Sequence, residues 1–124
     1  MFGGYKLAGS DDFSAASLKI HYQNWMEDAT HKIPDDVHIT TAGKGLRIKE
    51  GSNARMGTST LTAGSVVVAN TSITASSRVF LSRMALGGTA GHLSVTLNAG
   101  VGFTITSSSG TDTSTIAWQL LEPA

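Results

Sequence analysis

The feature that most constrains the fold is a break in composition near Met56. Residues 1–55 hold seven of the nine basic and seven of the nine acidic side chains. Residues 56–124 contain no lysine, and Ser or Thr occupies 23 of these 69 positions. The charged residues of this second part are Arg78, Arg83, Asp112 and Glu122. Such a composition is typical of antiparallel strands, and the scarcity of charge indicates that much of the surface is covered by sister copies or a larger assembly.

Short alternating runs separated by turn-forming residues predict a mainly β domain. Pro34 with the paired acids Asp35 and Asp36 indicates a turn, and strands are predicted after it at Val37–Thr40 and Leu46–Lys49. Further strands are predicted at Met56–Leu61, Ser65–Ala69, Arg78–Arg83, His92–Asn98, Gly102–Ser107 and Thr115–Glu122. Strands that recur about every 8 to 12 residues predict an antiparallel sandwich, jelly roll or barrel.

The alternation within each run predicts which side chains face the core. The expected inward set is Val66, Val68, Val79, Leu81, Leu93, Val95, Leu97, Phe103, Ile105, Ile116, Trp118 and Leu120. The opposite faces are rich in hydroxyl groups, which suit either a wet surface or a close subunit contact. The candidate subunit-interface residues are Phe80, Thr104, Thr106 and Trp118.

Residues 1–36 are predicted to form an N-terminal arm ahead of a β-knob at residues 37–124. Leu18, Tyr22, Trp25 and Met26 have the spacing of one helix face. Leu18, Ile20 and Tyr22 also alternate with polar residues, as in a strand. Both interpretations of residues 14–30 stay open, and the arm has room for one short helix.

Composition also bears on partners and compartment. Nine basic and nine acidic residues cancel, which disfavours non-specific nucleic-acid binding. No run approaches the roughly 20 apolar residues of a membrane span, and the first ten residues lack the pattern of a secretory signal. We therefore expect no nucleic-acid or membrane partner and synthesis in the cytoplasm of the producing cell. The chain has no cysteine, so neither disulfides nor thiol chemistry are available.

No residue pattern in the chain points to catalysis. The adjacent acids Asp11-Asp12, Glu27-Asp28 and Asp35-Asp36 suit caps and solvated turns better than a converging acid–base pair. His21, His31 and His38 follow no metal-ligand spacing. No serine lies in a Gly-x-Ser-x-Gly motif. The sequence predicts no catalytic residue, no metal site, no cofactor and no enzymatic activity.

Four segments carry a resemblance to a known family. They are Thr41–Gly57, Ser77–Arg83, Gly91–Val95 and Asp112–Trp118, followed by the ending Glu122-Pro123. Together they resemble the β-rich knob domains of tailed-bacteriophage virion proteins, over about residues 37–124. The resemblance implies a small sandwich or jelly roll that trimerises on a tail fibre, a tail needle or a phage head, and hence a virion protein made in a bacterial host.

The short N-terminal part favours one of these positions. About 36 residues precede the β region, which leaves no room for a fibre shaft, so we expect a head-decoration (cement) protein that binds the major capsid protein or other virion proteins. Its arm would anchor through Phe2, Tyr5, Phe13, Leu18, Ile20, Tyr22, Trp25 and Met26. The alternative is a tail-fibre or tail-spike tip, in which the loops Ala85–Gly91 and Ser107–Thr113 contact a host receptor.

Overall fold

Residues 32–124 of the chain are described by a computed structural model. The chain divides after Gly45, and the unit Leu46–Ala124 contains every strand of the described part. Its six strands are β1 (Met56–Thr60), β2 (Ser65–Ala69), β3 (Arg78–Ala85), β4 (Leu93–Asn98), β5 (Gly102–Ser107) and β6 (Thr115–Leu121). Residues 32–124 form no helix, so none in this range is long and apolar enough to cross a membrane.

The strands form two antiparallel sheets of three. One sheet has the order β1-β6-β3 and the other the order β2-β5-β4. Pairing is in register throughout except in β3, where a bulge lies between Arg83 and Ala85. The last two strands of the chain are therefore the central strands, each flanked by two earlier ones, and only long-range pairing completes either sheet.

The inner faces of the two sheets share one hydrophobic core. Its buried members are Leu61, Ile73, Phe103, Ile105, Ile116, Trp118 and Leu120, and the apolar side chains of β2, β3 and β4 pack around them. Phe103 of one sheet meets Trp118 of the other edge to face, with ring centroids 5.2 Å apart and planes at 77°. This aromatic pair links the two layers at their centre, as expected of a sandwich-like arrangement.

The six later predicted strands are confirmed, and every residue of the predicted inward set lies in the core or packs against it, whereas the buried Leu61 and Ile73 were not predicted. The two earlier strands are wrong. Val37–Thr40 and Leu46–Lys49 form no strand, and Val37, Ile39 and Leu46 are exposed. Alternation indicates a strand only where another strand accepts its backbone hydrogen bonds, and neither segment has such a neighbour. The choice between helix and strand for residues 14–30 lies outside the described residues.

The connections gather at the two ends of the sheets. One end holds the segments 61–64, 86–92 and 108–114, which we call the loop end. The other holds 70–77, 99–101 and the last residues of the chain. There Glu122 accepts hydrogen bonds from the hydroxyls of Ser77 and Thr74, the latter at 2.6 Å, and pairs with Arg55 at 3.4 Å.

Candidate functional site

Two of the three segments of the loop end are rich in glycine and hydroxyl residues and bind each other through the backbone. The N–H of Thr113 donates to the carbonyl of Gly87 at 3.0 Å, and the N–H of Ser108 donates to the carbonyl of His92 at 2.9 Å. His92 in turn donates its N–H to the hydroxyl of Ser108 at 2.8 Å. These bonds join the 86–92 and 108–114 segments side by side, although the chain separates them by strands β4 and β5.

A buried ion pair fixes this end of the molecule. Asp112 has no exposed side-chain surface, and its partner Arg83 is 23% exposed. Nη1 of Arg83 lies 3.0 Å from both carboxylate oxygens, and Nη2 donates to the carbonyl of Gly91 at 2.9 Å. Asp112 also accepts from the Gly91 N–H at 3.1 Å, the Ser107 hydroxyl at 2.7 Å and the Ser114 N–H at 3.0 Å. One carboxylate thus joins β3, the loop after it and both ends of the loop before β6.

Hydrogen bonding keeps this carboxyl group charged. The bonds from Ser114 lower the pKa of Asp112 most, and those from Ser107 and the Gly91 backbone lower it further. Burial opposes them, but the pKa still lies well below its ordinary value of 3.8. The ion pair therefore stays charged far into the acid range.

Glycine allows the two segments to come this close. Gly88 has a φ of 62°, and a Cβ there would overlap the carbonyl oxygen of Thr111. At Gly87 the added atom would lie 2.6 Å from the carbonyl oxygen of Thr113. A side chain at either position would push the loops apart, which explains why a glycine pair follows β3 here.

The outer surface of the loop end is polar and uncharged. Thr89, His92 and Thr111 are exposed there, with Leu86 as the single large exposed hydrophobic side chain. Hydroxyl, imidazole and backbone groups can donate and accept hydrogen bonds to a polar ligand. Within residues 32–124, no group of three or more His, Cys, Asp or Glu side chains is placed to hold a metal ion.

A second surface, which we call face A, consists of the outward side chains of β1, β6 and β3. Its residues are Met56, Thr58, Thr60, Arg78, Phe80, Ser82, Met84, Thr115, Ala117, Gln119 and Leu121, and the charged Arg78 lies at one end of it. Phe80 is 57% exposed and Met84 is 64% exposed. They border a trough of about 390 Å³, which the small side chain of Ala117 leaves open on the central strand. Face A is therefore concave, and its trough is largely apolar.

The opposite surface, face B, consists of the outward side chains of β2, β5 and β4. Its residues are Ser65, Val67, Ala69, Ser94, Thr96, Asn98, Thr104 and Thr106. Face B lacks charge, and Val67 is its only large exposed hydrophobic residue. The two outer surfaces thus differ in chemistry, because face A exposes three large apolar side chains and face B one.

The predicted subunit-interface residues do not share one surface. Phe80 lies on face A, whereas Thr104 and Thr106 lie on face B. Trp118 is 7% exposed and lies in the core, where its Nε1 donates to the hydroxyl of Ser59 at 3.2 Å. The eight predicted arm anchors between Phe2 and Met26 lie outside the described residues.

The sequence analysis missed the residues that organise the loop end. Arg83 alternates with Val79 and Leu81, so the strand pattern already turned its charge inward. Asp112 is the only acidic residue between positions 51 and 121. A buried charge needs a partner of opposite sign. An inward arginine and a single acidic residue in a charge-poor domain therefore predict an ion pair between Arg83 and Asp112.

Comparison with known families identifies this domain. Residues 53–121 match the family described as the K1 capsule-specific polysaccharide lyase, C-terminal domain. The chain belongs to this family. No curated protein and no solved structure gives a significant match. The matched range contains all six strands and the entire loop end.

Membership of this family supports part of the function predicted from the sequence and contradicts another part. The family is associated with phage tail spikes, which is compatible with the expected phage virion protein. It fits the tail-fibre or tail-spike alternative better than head decoration. The prediction of no enzymatic activity is contradicted, because the family is a domain of a polysaccharide lyase.

Proposed function

We propose that this chain supplies a tail fibre or tail spike with the module that contacts the host's capsular polysaccharide, and that the loop end makes the contact. The observation that carries the proposal is the family match over residues 53–121. The enzyme that gives the family its name acts on a capsule, so a domain of this family works beside a polysaccharide chain.

The geometry of the loop end supports this role. The Asp112–Arg83 pair and the backbone bonds between the loops hold the surface groups in place before a ligand arrives. Such pre-organisation lowers the entropy lost on binding. Binding residues are also commonly carried on loops that a rigid scaffold positions. Thr89, His92 and Thr111 are the exposed groups that we assign to hydrogen bonding with sugar hydroxyls.

A homotrimer is part of the proposal. The scarcity of charge on both outer sheet surfaces supports assembly of sister copies, since charged residues are depleted at the centres of subunit interfaces. Three loop ends on one assembly would bind a repeating polysaccharide with avidity, so weak single contacts would suffice. The major capsid protein stays a predicted partner of the head-decoration alternative.

A binding assay tests the proposed ligand. The purified chain is passed over immobilised K1 capsular polysaccharide and a panel of other capsular polysaccharides, with neutral dextran as the control. We expect retention on at least one capsule and none on dextran. Absence of binding to every capsule would overturn the proposal.

A pair of double variants tests the assigned surface. Thr89→Ala with His92→Ala changes the loop end, and Thr71→Ala with Asn98→Ala changes exposed residues at the other end of the sheets. We expect the first variant to lose capsule binding about tenfold or more and the second to keep it. Equal losses would place the contact elsewhere.

Immunogold labelling of phage particles tests the position of the protein on the virion. Labelled tails support the proposal, and labelled heads contradict it.

A further inference from the structure

We propose that face A is the surface through which copies of this chain pack together, while face B and the loop end stay open. The inference rests on the homo-oligomer in the proposed function and adds the surface that forms it. Its occupant is a second copy of this chain.

Exposed apolar side chains distinguish face A from the rest of the unit's sheet surface. Phe80 and Met84 are each more than half exposed, and Leu121, two residues after Gln119 on the same side of β6, is 46% exposed. Contiguous apolar patches on soluble domains mark interaction sites. Aromatic residues and methionine are also enriched in protein–protein interfaces. Face B offers only Val67 of comparable character, so the two surfaces cannot serve the same partner equally well.

The charge distribution favours a copy of the same chain as the partner. Glu50 lines the trough and Arg78 is the first residue of β3 on face A, but the strand residues between them on this face carry no charge. Where face A lines a three-fold axis, a charge at the axis would lie beside the same charge on the other copies, which is destabilising. An uncharged centre avoids this repulsion. A partner of different chemistry would more commonly be matched by complementary charge.

The polar groups on face A can be buried without losing their hydrogen bonds. The hydroxyls of Thr60 and Thr115 are 3.3 Å apart and bond each other within one copy. Apart from Arg78 at the end of β3, the remaining polar side chains on this surface are hydroxyls and the amide of Gln119, each of which can both donate and accept. Identical copies can therefore satisfy one another, as buried polar groups require.

The shape of face A also suits a copy of itself. Phe80 and Met84 project beside the trough, whose open side is lined by Ala117. The same surface therefore carries both a projection and a hollow. A sugar is a poorer occupant, because the central Ala117 and the two methionines offer no side-chain hydrogen bonds.

The size of face A determines how the inference is best tested. Three strands about 4.8 Å apart and about 3.4 Å per residue give a surface of roughly 300 Å² in projection. A standard interface buries about 800 Å² per partner. Face A would thus be one part of a larger contact, and a single substitution need not dissociate the assembly. The decisive measurement is therefore proximity between copies.

A matched pair of cysteine variants measures that proximity. The chain has no cysteine, so an engineered thiol is unique. Ser82→Cys lies on face A and Ser94→Cys on face B, and both serines are exposed on edge strands. The full chain, in dilute solution, is treated with a short bis-maleimide. We expect most Ser82→Cys chains to cross-link between copies, and at least tenfold fewer Ser94→Cys chains to do so.

Two further variants test the apolar contact itself. Phe80→Glu in the Ser82→Cys background should reduce cross-linking at least tenfold, whereas Val67→Glu, also a charge at an exposed strand position, should leave it unchanged. Circular dichroism checks that each variant folds, and Phe80→Ala replaces Phe80→Glu if that chain does not.

The outcomes separate this inference from the proposals on which it rests. Face A is not the interface if Ser94→Cys cross-links preferentially, or if no variant cross-links in a chain that light scattering shows to be oligomeric. Either result leaves the proposed oligomer unchanged. A monomer in light scattering overturns both. Neither result changes the capsule-binding assay, which tests the ligand separately.

Discussion

At the scale of single residues, the Asp112–Arg83 pair is the contact on which the loop end depends. The acid joins four segments, and nothing else in the described chain links all of them. Arg83 without its partner would be a largely buried cation with no counter-charge, which is unfavourable. Stability and the shape of the proposed binding surface are therefore coupled at this site.

We expect Asp112→Asn to lower the thermal midpoint by roughly 10–20 °C, because it leaves Arg83 without a counter-charge. The loop end should loosen at the same time, with a loss of capsule binding below the midpoint. Asp36→Asn is the matched control, since Asp36 is exposed outside the sheets. Calorimetry gives the midpoints, and equal values for the two variants would contradict a structural role for the pair.

The lowered carboxyl pKa values set the direction of the pH dependence. Ser77 and Thr74 hydroxyls lower the pKa of Glu122, as hydrogen bonds lower that of Asp112. The unfolded chain then binds protons more readily than the folded one, so stability falls as the pH drops. The fall should begin near the ordinary values of 4.5 and 3.8 and continue below them.

Urea titrations between pH 7 and pH 2 check this sign. The free energy of unfolding should be nearly constant from pH 7 to about pH 5 and should decrease below that. In Asp112→Asn the acid slope should be shallower, because one of the two shifted groups is gone. A slope of opposite sign, or an unchanged slope in the variant, would count against the assigned hydrogen bonds.

At the scale of strands, the contact between β1 and β6 depends on a missing side chain. Gly57 is paired with Trp118, and a Cβ at Gly57 would lie 2.6 Å from Cζ2 of the indole. The ring that joins the two sheets thus occupies space that only glycine leaves free. Strand β1 therefore positions the central aromatic pair of the core.

We expect Gly57→Ala to destabilise the unit by about 1–3 kcal/mol, through overpacking against the indole. Gly110→Ala is the matched control, because a Cβ there meets nothing within 4 Å. Denaturant unfolding followed by tryptophan fluorescence measures both. Equal stability of the two variants would show that the ring can shift without cost.

Strand positions were predictable from sequence because each strand carries its own alternation and its own flanking turns. β2 and β5 have the predicted bounds, and the other four differ by one or two residues at an end. The bulge between Arg83 and Ala85 was not predictable, since it depends on how β3 pairs with the distant strand β6. The strand predicted at Val37–Thr40 is wrong for a similar reason, because an alternating sequence does not by itself provide a neighbouring strand to pair with.

At the scale of the whole molecule, the β unit should behave as an independent body. Lys44, Arg47 and Lys49 are exposed and outside any strand, whereas Arg78 and Arg83 lie within the β3 ladder. Proteases cut exposed segments without regular hydrogen bonding far faster than paired strands.

Brief trypsin treatment should therefore leave a resistant product that begins between residues 45 and 50 and ends at Ala124. Mass spectrometry identifies it, and circular dichroism should show that its strands are retained. Early cleavage after Arg78 or Arg83 would mean that the sheet opens readily and that the unit is not independently stable.

The sequence by itself determined the β class, the positions of six strands and the side chains that face the core, because local alternation records which face of a strand is buried. Tertiary structure decided which strands are neighbours, and that large exposed apolar side chains gather on one outer sheet surface and not on the other. It also brought Arg83 and Asp112 together across 29 positions. These features depend on pairing between distant segments, whose register no local pattern encodes.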